Sequence, residues 1–310
     1  MYIIIVFMQI KQININDKTY TLHIAYQANE TLRKSFNAMT FDFWEFTFEP
    51  YYLSGYWDDS CLIFSLFEEE TIVAHTTLSL FHTHTPEKQL FLGQLGTVMT
   101  APTHTKQGLS RFLMEYIFDA YRDQLDGYFL FANETVLDFY PKFGFVAVPE
   151  FQASKKFQKQ PSAHEIRRLN LTNDSDLQLF QHYLKHGQTA CRFDTRSYGL
   201  AHFYCYANAD FGFADSIYVI PELETLLLAQ QEEDNLLIYQ VYYLNENQVD
   251  KAFNALATES TTQITLGYTP TTGDYVFHPY REEDLTLFVT SSLLPYFTAQ
   301  QTMIPLLSHT

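Results

Sequence analysis

The sequence is poor in three things. It has three cysteines, Cys61, Cys191 and Cys205, and no C-x-x-C pair among them, which argues against both a disulfide framework and a zinc site and points to a reducing, cytoplasmic setting. It is short of positive charge. Nineteen Lys and Arg stand against thirty-six Asp and Glu, for a net charge of −17, whereas a nucleic acid or an anionic membrane requires a basic footprint. It also lacks a long uncharged apolar run. The opening MYIIIVFMQI has no basic leader and is too short to span a bilayer, so we read it as a strand that folds. No nucleic-acid or membrane partner is expected.

What the chain does have is apolar and aromatic mass. Of its residues 46% are hydrophobic, with 28 Phe and 22 Tyr among 310. That is material for two cores, in a chain beyond the ~100–200 residues of one usual domain. A polar, Lys-containing stretch, SKKFQKQPSAHE, with Pro161, marks a domain boundary near 157–163. We therefore expect domains at 1–157 and 163–310.

Two strands are expected at 2–15 and 18–26 around the turn pair Asn16-Asp17, then a helix from Asn29, a hairpin at 60–68 and 71–82 around Glu69-Glu70, and a strand at 89–100. Leu109, Phe112, Leu113, Tyr116, Ile117, Ala120 and Tyr121 recur at helical spacing behind Gly108. A buried strand at 128–132 follows, parallel to the one before the helix. A turn opening a helix presents unpaired N–H groups and the positive end of the dipole, which suits a phosphate. After residue 145 a last strand, VAVPEFQ, leads to the boundary. Beyond it come strands near 165–171, 216–220, 225–229, 236–244 and 263–268, with helices at 174–186 and 248–257.

The strongest signal lies downstream of Gly108, where Asn133, Phe139, Tyr140, Gly144 and Phe145 stand as N-x5-F-Y-x3-G-F. With the turn Thr105-Lys106-Gln107-Gly108-Leu109-Ser110, this resembles the GNAT superfamily of acyl-CoA-dependent N-acetyltransferases, most closely its two-domain bacterial type. The corresponding GNAT patterns are Q/R-x-x-G-x-G/A and N-x-x-A-x-x-F-Y-x-K-x-G-F. Thr105 departs from Gln or Arg, Ser110 from Gly or Ala, and Val136 from Ala; Lys106 restores one positive charge.

The resemblance implies an α/β fold with a mixed sheet whose central fourth and fifth strands splay, followed by a second, worn GNAT-like α/β half that has lost its cofactor. It implies acetyl transfer from acetyl-CoA to a primary amine of a small molecule. The cofactor would be held by backbone groups at Val98, Met99 and Thr100, by Thr105, Lys106, Gln107, Gly108, Leu109 and Ser110, and by Asn133, Phe139 and Tyr140. Tyr140 would be the catalytic acid that protonates the leaving thiolate. Some two-domain relatives place the terminal carboxylate in the site, which here would be that of Thr310.

The strand Gln94-Leu95-Gly96-Thr97-Val98 carries no acid for a general base. Asp42, Glu45, Glu49, His75 through water, or no dedicated base all stay open. The aromatic stretch 41–57 is either an acceptor wall or packing. His82 and His84 share one strand face without a third ligand, so no metal is expected, and His104 is read as a loop residue. A catalytically silent CoA-binding regulatory or sensor protein is the competing reading, and a homo-oligomer, with the C-terminal half as its assembly module, stays open. The acceptor and the acyl length are not specified by the sequence.

Overall fold

The computed structural model describes residues 8–208 and 212–309; the start of the first expected strand and the Thr310 carboxylate lie outside them. The described residues divide into two compact units, one of residues 8–81 and 91–131, the other of 82–90, 132–208 and 212–309.

The first unit opens with β1 (Gln9–Ile15) and β2 (Lys18–Ile24), an antiparallel pair. Asn16 and Asp17 both adopt positive φ, 50° and 62°, as the two-residue turn that matches strand twist requires. Helix α1 (Glu30–Trp44) starts where Asn29 accepts a hydrogen bond from the Leu32 N–H, a cap that satisfies one orphan donor. The short α2 (Glu49–Leu53) follows. Then come β3 (Cys61–Glu68), β4 (Thr71–His84) and β5 (Gln89–Thr100), helix α3 (Leu109–Tyr121) and β6 (Gly127–Asn133). The sheet order β1-β2-β3-β4-β5-β6 is sequential, and β6 runs parallel to β5.

Alternation along β3 divides the two faces of this sheet. Ile63 and Phe67 join Leu32, Phe36 and Met39 of α1 in one apolar cluster. Phe64, pointing the other way, meets Tyr116 of α3. On α3 the buried residues are Leu109, Leu113, Met114, Ile117 and Tyr121, whereas Ala120, expected on that stripe, is exposed.

The second unit begins its own elements with β7 (Phe145–Ala147), β8 (Glu150–Lys156) and β9 (Arg167–Arg168). Helix α4 (Asp174–His186) is capped by Asn173. After β10 (Asp194–Arg196) and α5 (Tyr198–His202) come β11 (Ile217–Ile220), β12 (Thr225–Glu232), β13 (Asn235–Tyr243), α6 (Val249–Leu256), β14 (Gln263–Leu266), β15 (Val276–Tyr280), β16 (Leu285–Thr290) and α7 (Leu294–Thr298). Seven strands form a sheet in the order β15-β8-β14-β13-β12-β11-β9. Strand β8, expected to end the first half of the chain, lies inside this sheet, antiparallel to β14 and β15. Its partners are more than a hundred residues away, so no local pattern announces the pairing.

The second sheet repeats the plan of the first. Antiparallel strands β11, β12 and β13 lead through a helix, α6, to a parallel neighbour, β14. No helix among the described residues is long and apolar enough to cross a membrane.

Candidate active site

Strands β5 and β6 share only three rungs, Leu92 with Gly127, Gly93 with Tyr128 and Gln94 with Phe129. Strand β5 continues to Thr100 and β6 to Asn133, so the two part after Gln94. The splay expected of the central strands is present. At the parting, Thr97 has φ 44°, a conformation that a β-branched residue adopts only under constraint. Such strain costs ~1–3 kcal/mol.

The constraint is a row of polar side chains running from Tyr26, just past β2, across the three strands β3, β4 and β5. The Tyr26 hydroxyl meets Ser65 Oγ at 2.7 Å, and Ser65 Oγ meets His75 Nδ1 at 2.7 Å. Ser65 and His75 lie directly opposite each other on β3 and β4. His75 Nε2 is 2.9 Å from Thr77 Oγ1 and 3.1 Å from Thr97 Oγ1, and the two threonine hydroxyls are 2.5 Å apart. Hydrogen bonds worth ~1 kcal/mol each are of the size needed to offset the strain at Thr97. His75 has no exposed surface, with the Phe36 ring 4.7 Å away. Burial pushes its pKa down to about 3, so near neutral pH it is an uncharged imidazole.

Past the bend, Met99 is buried in the α1 cluster, while Val98 and Thr100 are half-buried. Thr100 Oγ1 lies 2.5 Å from Ser110 Oγ, which fastens the end of β5 to the first turn of α3. The turn between them uses two left-handed residues, Lys106 at φ 61° and Gly108 at φ 83°. Gly108 is the N-cap of α3, and its cap makes no side-chain hydrogen bond. A Cβ at Gly108 would meet nothing within 4 Å. Glycine is therefore required by conformation, and the space beside it is open to a ligand.

This turn is braced from the first hairpin. Asn16 Nδ2 donates to the Gln107 carbonyl at 2.9 Å, and Lys18 Nζ and the Tyr20 hydroxyl reach Gln107 Oε1 at 3.5 and 3.3 Å. Thr105 Oγ1 donates to the Pro102 carbonyl. Lys18 thus joins Lys106 in bringing positive charge to the turn, a contribution invisible in the sequence because 88 residues separate them. His104 pairs with Glu68 at 3.1 Å, as a loop residue.

In the second unit, Asn133 Oδ1 accepts from the Thr135 N–H and hydroxyl, capping a short 3-10 turn, which leaves Nδ2 as its donor. Phe139, Phe145 and Phe288 surround Tyr140, with ring centroids at 5.2, 6.3 and 5.9 Å. Burial pushes the Tyr140 phenol up to about 12. Gly144, at φ 84°, closes the motif by donating to the Pro141 carbonyl.

Of the carboxylates considered as a base, Glu49 is already engaged. Arg33 binds it through two nitrogens at 2.9 and 3.2 Å and Asn37 donates to it at 2.6 Å; these donors hold its pKa below the usual value. Asp42 and Glu45 are exposed. In the aromatic stretch, Tyr51 is buried and Phe48 and Trp57 pack on the α1 cluster, while Phe41, Phe43 and Trp44 stay exposed. His82 and His84 lie on the exposed face at the end of β4, which pairs with β10.

The position in the second sheet equivalent to the α3 turn is the start of α6. A cavity of about 510 Å³ opens there, lined by Glu246, Asp250, Lys251, Tyr268 and Tyr275 among others. Two carboxylates against one lysine in this lining oppose a polyphosphate, and the preceding residues 244–248 contain no glycine.

Comparison with known proteins agrees with this architecture. Residues 23–148 match the family model of the acetyltransferase (GNAT) domain. A conserved protein of unknown function from Enterococcus faecalis, described as a probable N-acyltransferase, superimposes with a TM-score of 0.54 at 11% identity, over 94% of this chain and 74% of its own. A GCN5-related N-acetyltransferase from Anabaena variabilis gives 0.52 at 11% identity, over 86% and 72%. At that identity they speak to the fold, and they extend its likeness through both halves of the chain. No curated protein matches the sequence significantly. By the parted parallel strands, the glycine turn at α3 and the family-model match, residues 23–148 of this chain form a GNAT-type acetyltransferase domain.

Proposed function

We propose that the protein transfers an acetyl group from acetyl-CoA to a primary amine of a small molecule by direct attack. The observation that carries this reading is the parting of β5 from β6 beyond Gln94, which frees the backbone of Val98, Met99 and Thr100 from pairing with β6. Acetyl-CoA supplies the activated thioester. The first-turn N–H groups of α3 and the residues Thr105 to Ser110 are assigned to its pyrophosphate, supported by the open space at Gly108. The backbone of 98–100 is assigned to the pantetheine arm and the carbonyl oxygen, where positioned donors stabilise developing negative charge.

Asn133 and Phe139 are assigned to cofactor contact by their place in the motif. Tyr140 is assigned as the proton donor to the leaving sulfur. A phenol with a pKa of about 12 stays protonated throughout the working range; because it is a weaker acid than a thiol of pKa ~8.5, it gives its proton to the sulfur only as the attacking nitrogen sheds its own to restore the phenol. The cofactor is assigned to the domain of 1–157 and not to 163–310, since Glu246 and Asp250 line the equivalent place there. The three cysteines are free thiols, which fits the cytoplasm.

The silent CoA-binding reading draws on the missing arginine at Thr105 and the missing acid on the strand 94–98, and one contact adds to it. Ser110, where the family pattern has Gly or Ala, spends its hydroxyl on Thr100. Two experiments separate the readings. Calorimetric titration with acetyl-CoA and with free CoA is expected to show saturable binding that Gly108→Glu abolishes. Thiol release against a panel of amines is expected to fall at least tenfold in Tyr140→Phe with acetyl-CoA affinity kept. Binding without turnover on any amine would favour the silent reading, and no binding would remove both.

A further inference from the structure

We propose that His75 is a positioning residue which, through the Thr97 hydroxyl, holds β5 bent away from β6. This rests on the assignment of acetyl-CoA to the parted strands.

The geometry leaves His75 little else to do. Both its ring nitrogens are spent inside the sheet, Nδ1 on Ser65 and Nε2 on Thr77 and Thr97. It is fully buried beneath Phe36. As a base it would be ineffective, because an imidazole with a pKa of about 3 carries a proton in only about one molecule in ten thousand at pH 7. The row behind it ends at Tyr26, a buried phenol whose pKa burial raises, so no proton sink lies at its far end. What the row does reach is the one β5 residue with positive φ, three residues beyond the last rung shared with β6. An ordinary extended Thr97 would let β5 continue its course beside β6. With the bend fixed, the N–H groups of 98–100 are set in place before any ligand arrives.

Thr97 offers a test in which shape and hydroxyl are separable. Thr97→Val keeps the β-branched side chain, loses the hydroxyl, and still resists positive φ. Thr97→Gly loses the hydroxyl too but adopts positive φ without help. Titrated with acetyl-CoA, Thr97→Val is expected to bind at least tenfold more weakly than the wild type, whereas Thr97→Gly stays within about threefold. His75→Leu is expected to weaken binding in the Thr97 background and to add nothing once residue 97 is glycine. Equal losses in the valine and glycine variants would overturn the proposal, since the hydroxyl itself would then be what matters; so would the absence of loss in both. A wild type that binds no acetyl-CoA would refute the functional reading instead. In that case amide exchange across residues 95–100 decides the clamp, with faster exchange expected in Thr97→Val and in His75→Leu, and unchanged exchange overturning it.

Discussion

At the scale of single residues, the neutral state of His75 ties stability to pH. Its folded pKa of about 3 lies below the ~6.5 of an exposed histidine, so between those values the unfolded chain binds the extra proton. The stabilisation is complete above pH ~6.5 and is lost as pH falls toward 3, at up to ~1.4 kcal/mol per pH unit. His75→Gln retains hydrogen-bonding capacity without titrating in this range. Urea unfolding from pH 7 to pH 4 is therefore expected to show a steeper fall in stability for the wild type than for His75→Gln. Parallel slopes would mean that His75 takes up its proton as readily in the folded as in the unfolded chain. Tyr140 is shifted by the same cause in the other direction: burial keeps its phenol neutral up to about 12, so no loss of turnover from its ionisation is expected below pH ~11.

At the scale of elements, α2 shows what a short segment needs in order to stay in place. Five residues cannot sustain a helix alone, and α2 is fixed by Glu49, which receives both Arg33 nitrogens and Asn37. Arg33 in turn stacks 3.7 Å over the Tyr52 ring. Replacing Glu49 by leucine leaves the buried Arg33 without its carboxylate and is expected to cost about 1–3 kcal/mol, the range for hydrogen bonds to charged groups. Glu49→Gln, which keeps one acceptor, is expected to cost less, and thermal unfolding of the two variants checks the order.

Much at this scale is legible in the sequence because its cause is local. Asn16-Asp17 makes a turn by tolerating positive φ, Asn29 caps α1 with its own side chain, and Gly108 frees the turn before α3. The rest is not legible because its cause is distant. Nothing around Glu150–Lys156 tells that its partners are β14 and β15. Nothing in Gln94-Leu95-Gly96-Thr97-Val98 announces a bend at the threonine, since the bend is imposed by His75 from the neighbouring strand. The polar row of Tyr26, Ser65, His75 and Thr97 exists only once strand register is known.

At the scale of the whole molecule, the charge of −17 sets a problem for the proposed cofactor, itself a polyanion. The global field repels it, while Lys18 and Lys106 at the turn, and Arg111 in the first turn of α3, attract it locally. These two effects differ in range, and salt separates them. At ~10 mM ionic strength the screening length is ~30 Å, so an approaching ligand feels the summed negative charge; at ~150 mM it is ~8 Å, and only nearby charges act. Stopped-flow association of acetyl-CoA is therefore expected to speed up severalfold as salt is raised over that range, the reverse of ordinary electrostatic steering. Lys106→Gln should lower the association rate at both salts, and more at low salt than at high, because screening weakens the contribution of each local cation as well. A rate that falls with salt in the wild type would show instead that the cations around Gly108 outweigh the net charge even at long range.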